Sequence, residues 1–462
     1  MCKGASAAAV EAASDGGSDE ERAAPKRRAC CRTFLKVDGL PRPPRTVKHC
    51  QGAFCSLALG TAGLGALWAM FLRLLAPRPW ARGALAAQTI CSVAGLAPLT
   101  AFASKGFLHP KYLRVELDAL EHPSGALVSS GAMAFAPLSR CLHAHGLEAA
   151  ARWVWMGSYG VHVVLMLRLS AVAWRRRGDP RTLAHATPAW FVVYVGVAVY
   201  AAVATTMRVP ESLVAFSLWL GVANLVWELP LVTYRLRTRE RLPRAAYPTF
   251  AIYMAPSSLC CSAWLTHLRA RRPGATFSDL GVVPAALTVV LAALACATAA
   301  PVFSRYKRFF VDEPVLPSWA SFTFPTVIFA NAVGRLNLLC PSARCLLAPL
   351  AWLLFANANL VVLAVWCGYV RMFLDGSLFV DYLDAARCLA YDDSVSPVAT
   401  ALVLLPGPRK PQWTEYSPPA IIPGGDAEDA NSTVDFDGVS VVTPEDAPKG
   451  EPPAGVDVVP DA

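Results

Sequence analysis

Apolar residues along this chain come in long continuous stretches, not in the two-residue alternation of a half-buried strand. Ten such runs fall at about residues 52–76, 84–104, 124–142, 150–174, 187–207, 212–234, 247–268, 281–303, 318–339 and 345–373. Each is near the ~20 residues an α-helix needs to cross the hydrocarbon core of a bilayer. The pattern predicts an all-α membrane protein whose transport-sized body spans residues 49–373. Residues 1–48 are expected to be a basic cytoplasmic N-terminal segment, and 374–462, rich in Pro, Asp and Gly, a disordered acidic cytoplasmic tail. No apolar h-region opens the chain, so no cleavable signal is expected. Glu11, Asp15, Asp19, Glu20 and Glu21 argue against a transit peptide.

Helix breakers are unevenly placed. The odd-numbered runs carry Gly60, Gly63 and Gly65 in the first, Pro137 in the third, Gly196 in the fifth, Pro256 in the seventh and Pro325 in the ninth. Breakers survive inside a membrane helix where neighbours or a water-filled cavity satisfy the freed backbone groups. Two readings stay open: five helical hairpins whose odd members line a path, or the ordinary frequency of Gly and Pro in membrane helices. Even-numbered runs hold breakers too, among them Pro98, Gly221, Pro230 and Pro284.

Composition agrees with burial in lipid. Of the 462 residues, 55% are hydrophobic and 16% charged, and the mean hydropathy is +0.40. Soluble domains average about 25% charged residues. The net charge of +9 divides as +4 over residues 1–51, +16 over 52–310, +1 over 311–373 and −12 over 374–462. The positive charge sits in short clusters between apolar runs, the distribution of a topology signal and not of a nucleic-acid footprint. Clusters around Lys26–Lys48, Lys105–Arg114, Arg175–Arg181, Arg235–Arg244 and Arg305–Arg308 place the even-numbered helix ends, and both termini, in the cytoplasm. Arg78, Arg82, Arg269, Arg271 and Arg272 lie on the other side. The sequon at Asn431 would then be hidden from the lumen, and a glycan there would overturn the orientation.

Candidate chemistry is sparse. The 14 Cys form no CxxC pair and no zinc spacing, so no metal and no cofactor is expected. Cys340 and Cys345 flank a short loop where a disulfide would fit. The spans contain no HExxH, no GxSxG and no acidic pairs, which argues against an enzyme. Charges inside spans are costly and need partners. Glu228, Arg168 and His162 are the clearest cases, read either as structural contacts or, for Glu228 with His162, as a proton relay.

Four segments carry a resemblance. Leu59-Gly60-Thr61-Ala62-Gly63-Leu64-Gly65-Ala66-Leu67-Trp68, Glu116 to Pro123, Leu242-Pro243-Arg244 with Tyr253-Met254-Ala255-Pro256, and Trp319 with Phe322-Thr323-Phe324-Pro325 follow in order. Together they resemble the TehA-like tellurite-resistance/C4-dicarboxylate transporter family, which includes the plant slow anion channels. Pro188-Ala189-Trp190 fits more loosely, and the match covers about residues 46–373. Asp118-Ala119-Leu120-Glu121 departs from the family, whose members more often carry a basic residue before His122-Pro123.

The resemblance implies ten transmembrane helices as five hairpins in a quasi-five-fold ring around a central pore. It implies odd helices inside, even helices outside, and a homotrimer with one pore per protomer. It implies that a phenylalanine of the ninth helix, Phe324 or with a shifted register Phe322, closes the pore, with Gly63 and Gly65 leaving it room. His122 is a helix-start residue or a substrate contact. The implied function is a phenylalanine-gated channel for small anions, expected in the plasma membrane. A C4-dicarboxylate or sulfite exporter on the same fold, coupled to protons or not, is the alternative.

Overall fold

Backbone that must lie in lipid has to pair its own polar groups, and a helix does so within one segment. Every regular element among the described residues is accordingly helical. The computed structural model describes residues 50–75, 81–118, 123–175, 186–204, 207–238, 242, 244–312, 315–375 and 378. These belong to a unit within residues 1–406; a second unit, 407–462, lies outside them, as do the expectations about the N-terminal segment, the tail and His122.

The first two runs are α1 (Ala53–Leu75) and α2 (Ala81–Leu108). A short amphipathic α3 (Pro110–Asp118) follows within what reads in the sequence only as a basic loop. The third run is α4 (Pro123–Leu127) and α5 (Ser129–Ala144), and the fourth is α6 (Glu148–Arg175). The fifth is α7 (Trp190–Tyr194), a 3₁₀ turn at Val195–Val197, and α8 (Ala198–Val203). The sixth is α9 (Glu211–Thr238). The seventh starts as 3₁₀ helix, Arg244–Met254, and continues as α10 (Ala255–Arg271). The eighth is α11 (Val282–Phe303). The ninth passes from 3₁₀ helix at Pro317–Phe322 into α12 (Thr323–Leu339), and the tenth is α13 (Arg344–Asp375).

Six of these, α1, α2, α6, α9, α11 and α13, are long and apolar enough to cross a membrane. The other four runs are interrupted and none qualifies as one helix. Burial separates α1 from its peers: 89% of its most apolar stretch is buried, against 17–33% in the other five. Those five carry exposed Ile90, Trp153, Val164, Trp227, Val289 and Leu360, side chains suited to lipid.

The odd-numbered segments pack on one another in chain order. α1 contacts α5, α5 contacts α8, α8 contacts α10, α10 contacts α12, and α12 returns to α1. They run in one direction. Near their starts Ser56 Oγ and Ser130 Oγ lie 3.0 Å apart, and Thr323 Oγ1 donates to the Ser56 carbonyl at 3.1 Å. Nearer their ends Ser262 Oγ donates to Asn331 Oδ1 at 3.0 Å.

Proline chemistry explains part of the interruptions. Pro256 stands in the first turn of α10 and Pro325 in the first turn of α12, where a missing N–H leaves nothing unpaired. The fifth segment is different, because its freed carbonyls are capped from outside. His162 Nε2 lies 2.9 Å from the Val193 carbonyl, and Trp155 Nε1 donates to that of Tyr200 at 3.1 Å. Asn224 Nδ2 donates to the Tyr194 carbonyl at 2.7 Å, and Ser217 Oγ to that of Val197 at 2.9 Å. These donors sit on α6 and α9, so the long helices hold the broken one in shape. Asn224→Leu is expected to lower stability by about 1–3 kcal/mol, the cost of orphaning a buried carbonyl. Thermal unfolding in detergent measures it.

Two sequence readings are corrected here. Gly60, Gly63 and Gly65 do not break α1, which is continuous, and Pro137 lies inside the continuous α5; the third run divides earlier, at Val128. Cys340 and Cys345 are free thiols.

At the starting end of the bundle, α3 inserts Glu116, 1% exposed. Its carboxylate accepts from the Gly52 N–H at 2.7 Å, from Ser124 Oγ, and from Lys105 Nζ at 2.7 Å. Lys105 Nζ also donates to the Cys50 carbonyl at 2.7 Å. One ion pair thereby ties the approach to α1, the end of α2 and the start of α4. Burial pushes the neighbouring Cys50 thiol up to about 11, against the pull of Lys105, so it stays protonated at neutral pH. Asp118, also on α3, pairs with Arg168 of α6 at 2.7 Å.

Candidate pore constriction

All five odd-numbered segments meet at one small cavity of about 20 Å³, room for about one water molecule. Ser56 and Leu59 face it from α1, Ser130 and Met133 from α5, and Phe191 and Gly196 from the fifth segment. Ile252, Pro256 and Leu259 come from the seventh, and Ser321, Phe324 and Pro325 from the ninth. None of the lining side chains is charged. The cavity lies where the interrupted segments change from one helical form to another, so the breaks and the free space share one level.

Phe324 and Phe322 part company at this point. Phe324 lines the cavity. Phe322 is fully buried in an aromatic cluster, its ring centroid 4.8 Å from Phe309, 5.2 Å from Phe310 and 6.1 Å from Tyr306. The turn between 3₁₀ and α geometry sends these two rings to different places.

The glycines of α1 divide in the same way. A Cβ on Gly63 would lie 3.7 Å from Cδ2 and 4.0 Å from Cε2 of Phe324, and 3.3 Å from Val327 Cγ1. Gly63 is therefore the floor on which the Phe324 ring rests. A Cβ on Gly60 would collide with the Thr323 side chain, so Gly60 admits the start of α12 against α1. Gly65 faces away: its Cβ would meet Cys91 Cβ at 2.8 Å and the Gln88 carbonyl at 2.9 Å on α2. It is a notch for close helix packing. Gly196 lines the cavity, and a Cβ there would strike Met133 Sδ at 2.7 Å. Pro137 is buried but does not line it. His122 lies outside the described residues.

Gly63→Val should press on the Phe324 ring and pin it. Lower anion flux than wild type, read in liposomes, is the expected result, with Gly65→Ala disturbing packing against α2 instead.

A family model described as voltage-dependent anion channel matches residues 49–370, this helical body up to the last turn of α13. The chain belongs to the voltage-dependent anion channel family. It is a multi-pass membrane protein of anion transport, and the family's members are channels and transporters, not enzymes. Against individual curated proteins the chain has no match.

At the far end of the bundle Arg140 of α5 and Arg269 of α10 act electrostatically on Arg335 of α12. Arg335 is oriented by its Nε, which donates to Asn331 Oδ1 at 2.6 Å. Three odd-numbered segments thus contribute arginines to one end of the bundle.

None of the three in-span charged or titratable residues lines the cavity, although His162, read with Glu228 as a possible relay, packs behind Gly196 of its wall. Arg168 is held by Asp118, and His162 by the Val193 carbonyl. Glu228 is buried on α9, and neither carboxylate oxygen has a hydrogen-bond partner. What the sequence did not single out are the cavity hydroxyls Ser56, Ser130 and Ser321 and the Glu116 network. Serine in an apolar run carries no periodic signal, and Glu116 finds its partners only after folding.

Proposed function

We propose that this protein is a channel for small anions, in which ten membrane segments form five hairpins around a central passage and Phe324 closes it. The observation that carries the reading is the cavity itself. Side chains of all five odd-numbered segments wall it, none is charged, and Phe324 stands in that wall over Gly63. An aromatic ring in a narrow apolar passage blocks ions by filling space and excluding water. Rotation of the ring opens the path, and the missing side chain at Gly63 leaves the volume for it. Arginines at one mouth supply attraction without a tight site, so an ion that enters can leave.

The reading includes cytoplasmic termini, residence in the plasma membrane and a homotrimer with a passage in each protomer. The coupled exporter of C4-dicarboxylates or sulfite gains less support, because His162 is engaged by backbone and no carboxylate lines the cavity. Reconstitution into liposomes, with chloride, nitrate, malate and sulfite compared, tests the assignment. Chloride or nitrate flux that follows the electrical potential and ignores a proton gradient is expected. Saturating malate flux driven by protons would replace the channel with the exporter.

A further inference from the structure

The passage and its gate do not involve α3 or the end of α2. With 28 residues, α2 is about 42 Å long at 1.5 Å per residue. The hydrocarbon core of a bilayer is ~30 Å thick, and ~40–45 Å with its headgroups. A span of this length carries its last residues to the headgroup level. There Phe107 is 86% exposed and Leu108 is exposed beside it, and after His109 alone α3 begins. Tyr112 and Val115 of α3 are exposed in turn, and so are Lys111 and Arg114.

Charge on α3 is sorted by side. Glu116 turns inward and accepts from Lys105, from the Gly52 N–H and from Ser124. Asp118 is held by Arg168 at 2.7 Å and lies 3.9 Å from Arg114. Both carboxylates of the helix are thus used within the protein, and its outward face presents two cations among apolar side chains. A helix that faces only water mixes both signs of charge on its exposed side. Lys and Arg beside apolar side chains suit the boundary between acyl chains and headgroups instead.

We propose that α3 and the end of α2 form a seat for an anionic phospholipid. Lys111 and Arg114 meet the headgroup phosphate, and Phe107 and Leu108 meet the acyl chains. Arginine suits phosphate through its forked donors, and lysine through its compact charge. On the orientation proposed above, this end meets the cytoplasmic leaflet, which is the anionic one. The inference rests on the placement of α2 in a bilayer and not on conduction. Glu116 gives the seat a consequence. A lipid that fixes α3 also fixes this carboxylate, and through it the approach to α1 and the start of the third segment. Both of those segments wall the cavity.

The test uses the full chain in detergent, with phosphatidylserine as probe and phosphatidylcholine as the neutral control. Thermal unfolding is followed against the mole fraction of each lipid in mixed micelles. Phosphatidylserine is expected to raise the midpoint above that in phosphatidylcholine, and about 1 M salt to remove the difference. Lys111→Gln with Arg114→Gln should raise the amount of phosphatidylserine needed for half the effect by about fivefold per residue. Arg237→Gln with Lys307→Gln removes the same charge from exposed positions on other helix ends and should leave that amount unchanged. Phosphatidylserine should also slow hydrogen exchange at Gly52 and the first turn of α1 in wild type, and not in the Lys111/Arg114 variant. No difference between the two lipids, or an equal loss in both double variants, would overturn the seat, the second because lipid would then follow net charge alone. A Lys111/Arg114 variant that loses the same stability in either lipid would overturn it too, because another part of the chain would then cover this face. Selective binding without slower exchange would sever the seat from Glu116. No readout depends on flux, so each stands apart from the channel reading.

Discussion

Phe324→Ala is expected to raise basal anion flux by about tenfold or more, which corresponds to about 1.4 kcal/mol or more removed from the barrier. The ring stands in the wall of a cavity of about 20 Å³ that has no charge of its own. Removing it enlarges that cavity and lets water in, and on the channel reading a hydrated path conducts where a dry one does not. Phe322→Ala is the contrasting variant. That ring is buried among Phe309, Phe310 and Tyr306, so its loss should cost about 3–5 kcal/mol of stability, the usual range for a core phenylalanine. It should not raise flux. Chloride efflux from liposomes, alongside chromatographic evidence of monodisperse protein, separates the two effects. Unchanged flux through well-folded Phe324→Ala would remove this residue from the gating role.

Glu116→Ala is expected to destabilise the protein by about 3–5 kcal/mol, the cost of leaving one member of a buried ion pair alone. The side chain of Lys105 is 6% exposed and that of Glu116 2%, so solvent offers little rescue. The change also removes the carboxylate that accepts from the Gly52 N–H and from Ser124 Oγ, leaving the Gly52 N–H only its 2.9 Å bond to Ser124 Oγ. Glu116→Gln keeps an oxygen for those donors and should fall between wild type and alanine. The double variant Lys105→Met with Glu116→Leu should recover much of the loss, because an apolar pair carries no desolvation penalty. Thermal midpoints in detergent order the four proteins. Should Glu116→Ala melt with wild type, the network would be incidental to the fold.

Some of the architecture was readable in advance from particular residues. Pro256 and Pro325 mark places where two inner segments change helical form, and both line the cavity. The break in the third segment was not readable. Pro137 suggested one site, and Val128 is another. Proline in a buried helix is tolerated when neighbours pack around it, so its position alone does not locate a break. The fifth segment shows the converse. Its shape depends on His162, Trp155, Asn224 and Ser217, donors on two other helices whose role no local pattern announces.

The amino-acid order by itself determined that this chain is helical, multi-pass and poor in charge along its spans. Lipid admits few backbone solutions, and run length with charge clusters reports them directly. Tertiary structure decided the rest: that Phe324 and not Phe322 meets the cavity, that Gly63 faces this ring while Gly65 faces α2, and that Glu116 reaches Lys105. A helix that is apolar on every side has no polar face to show its rotation. That rotation is set by small residues and hydrogen bonds on neighbouring helices, which meet only when the bundle closes.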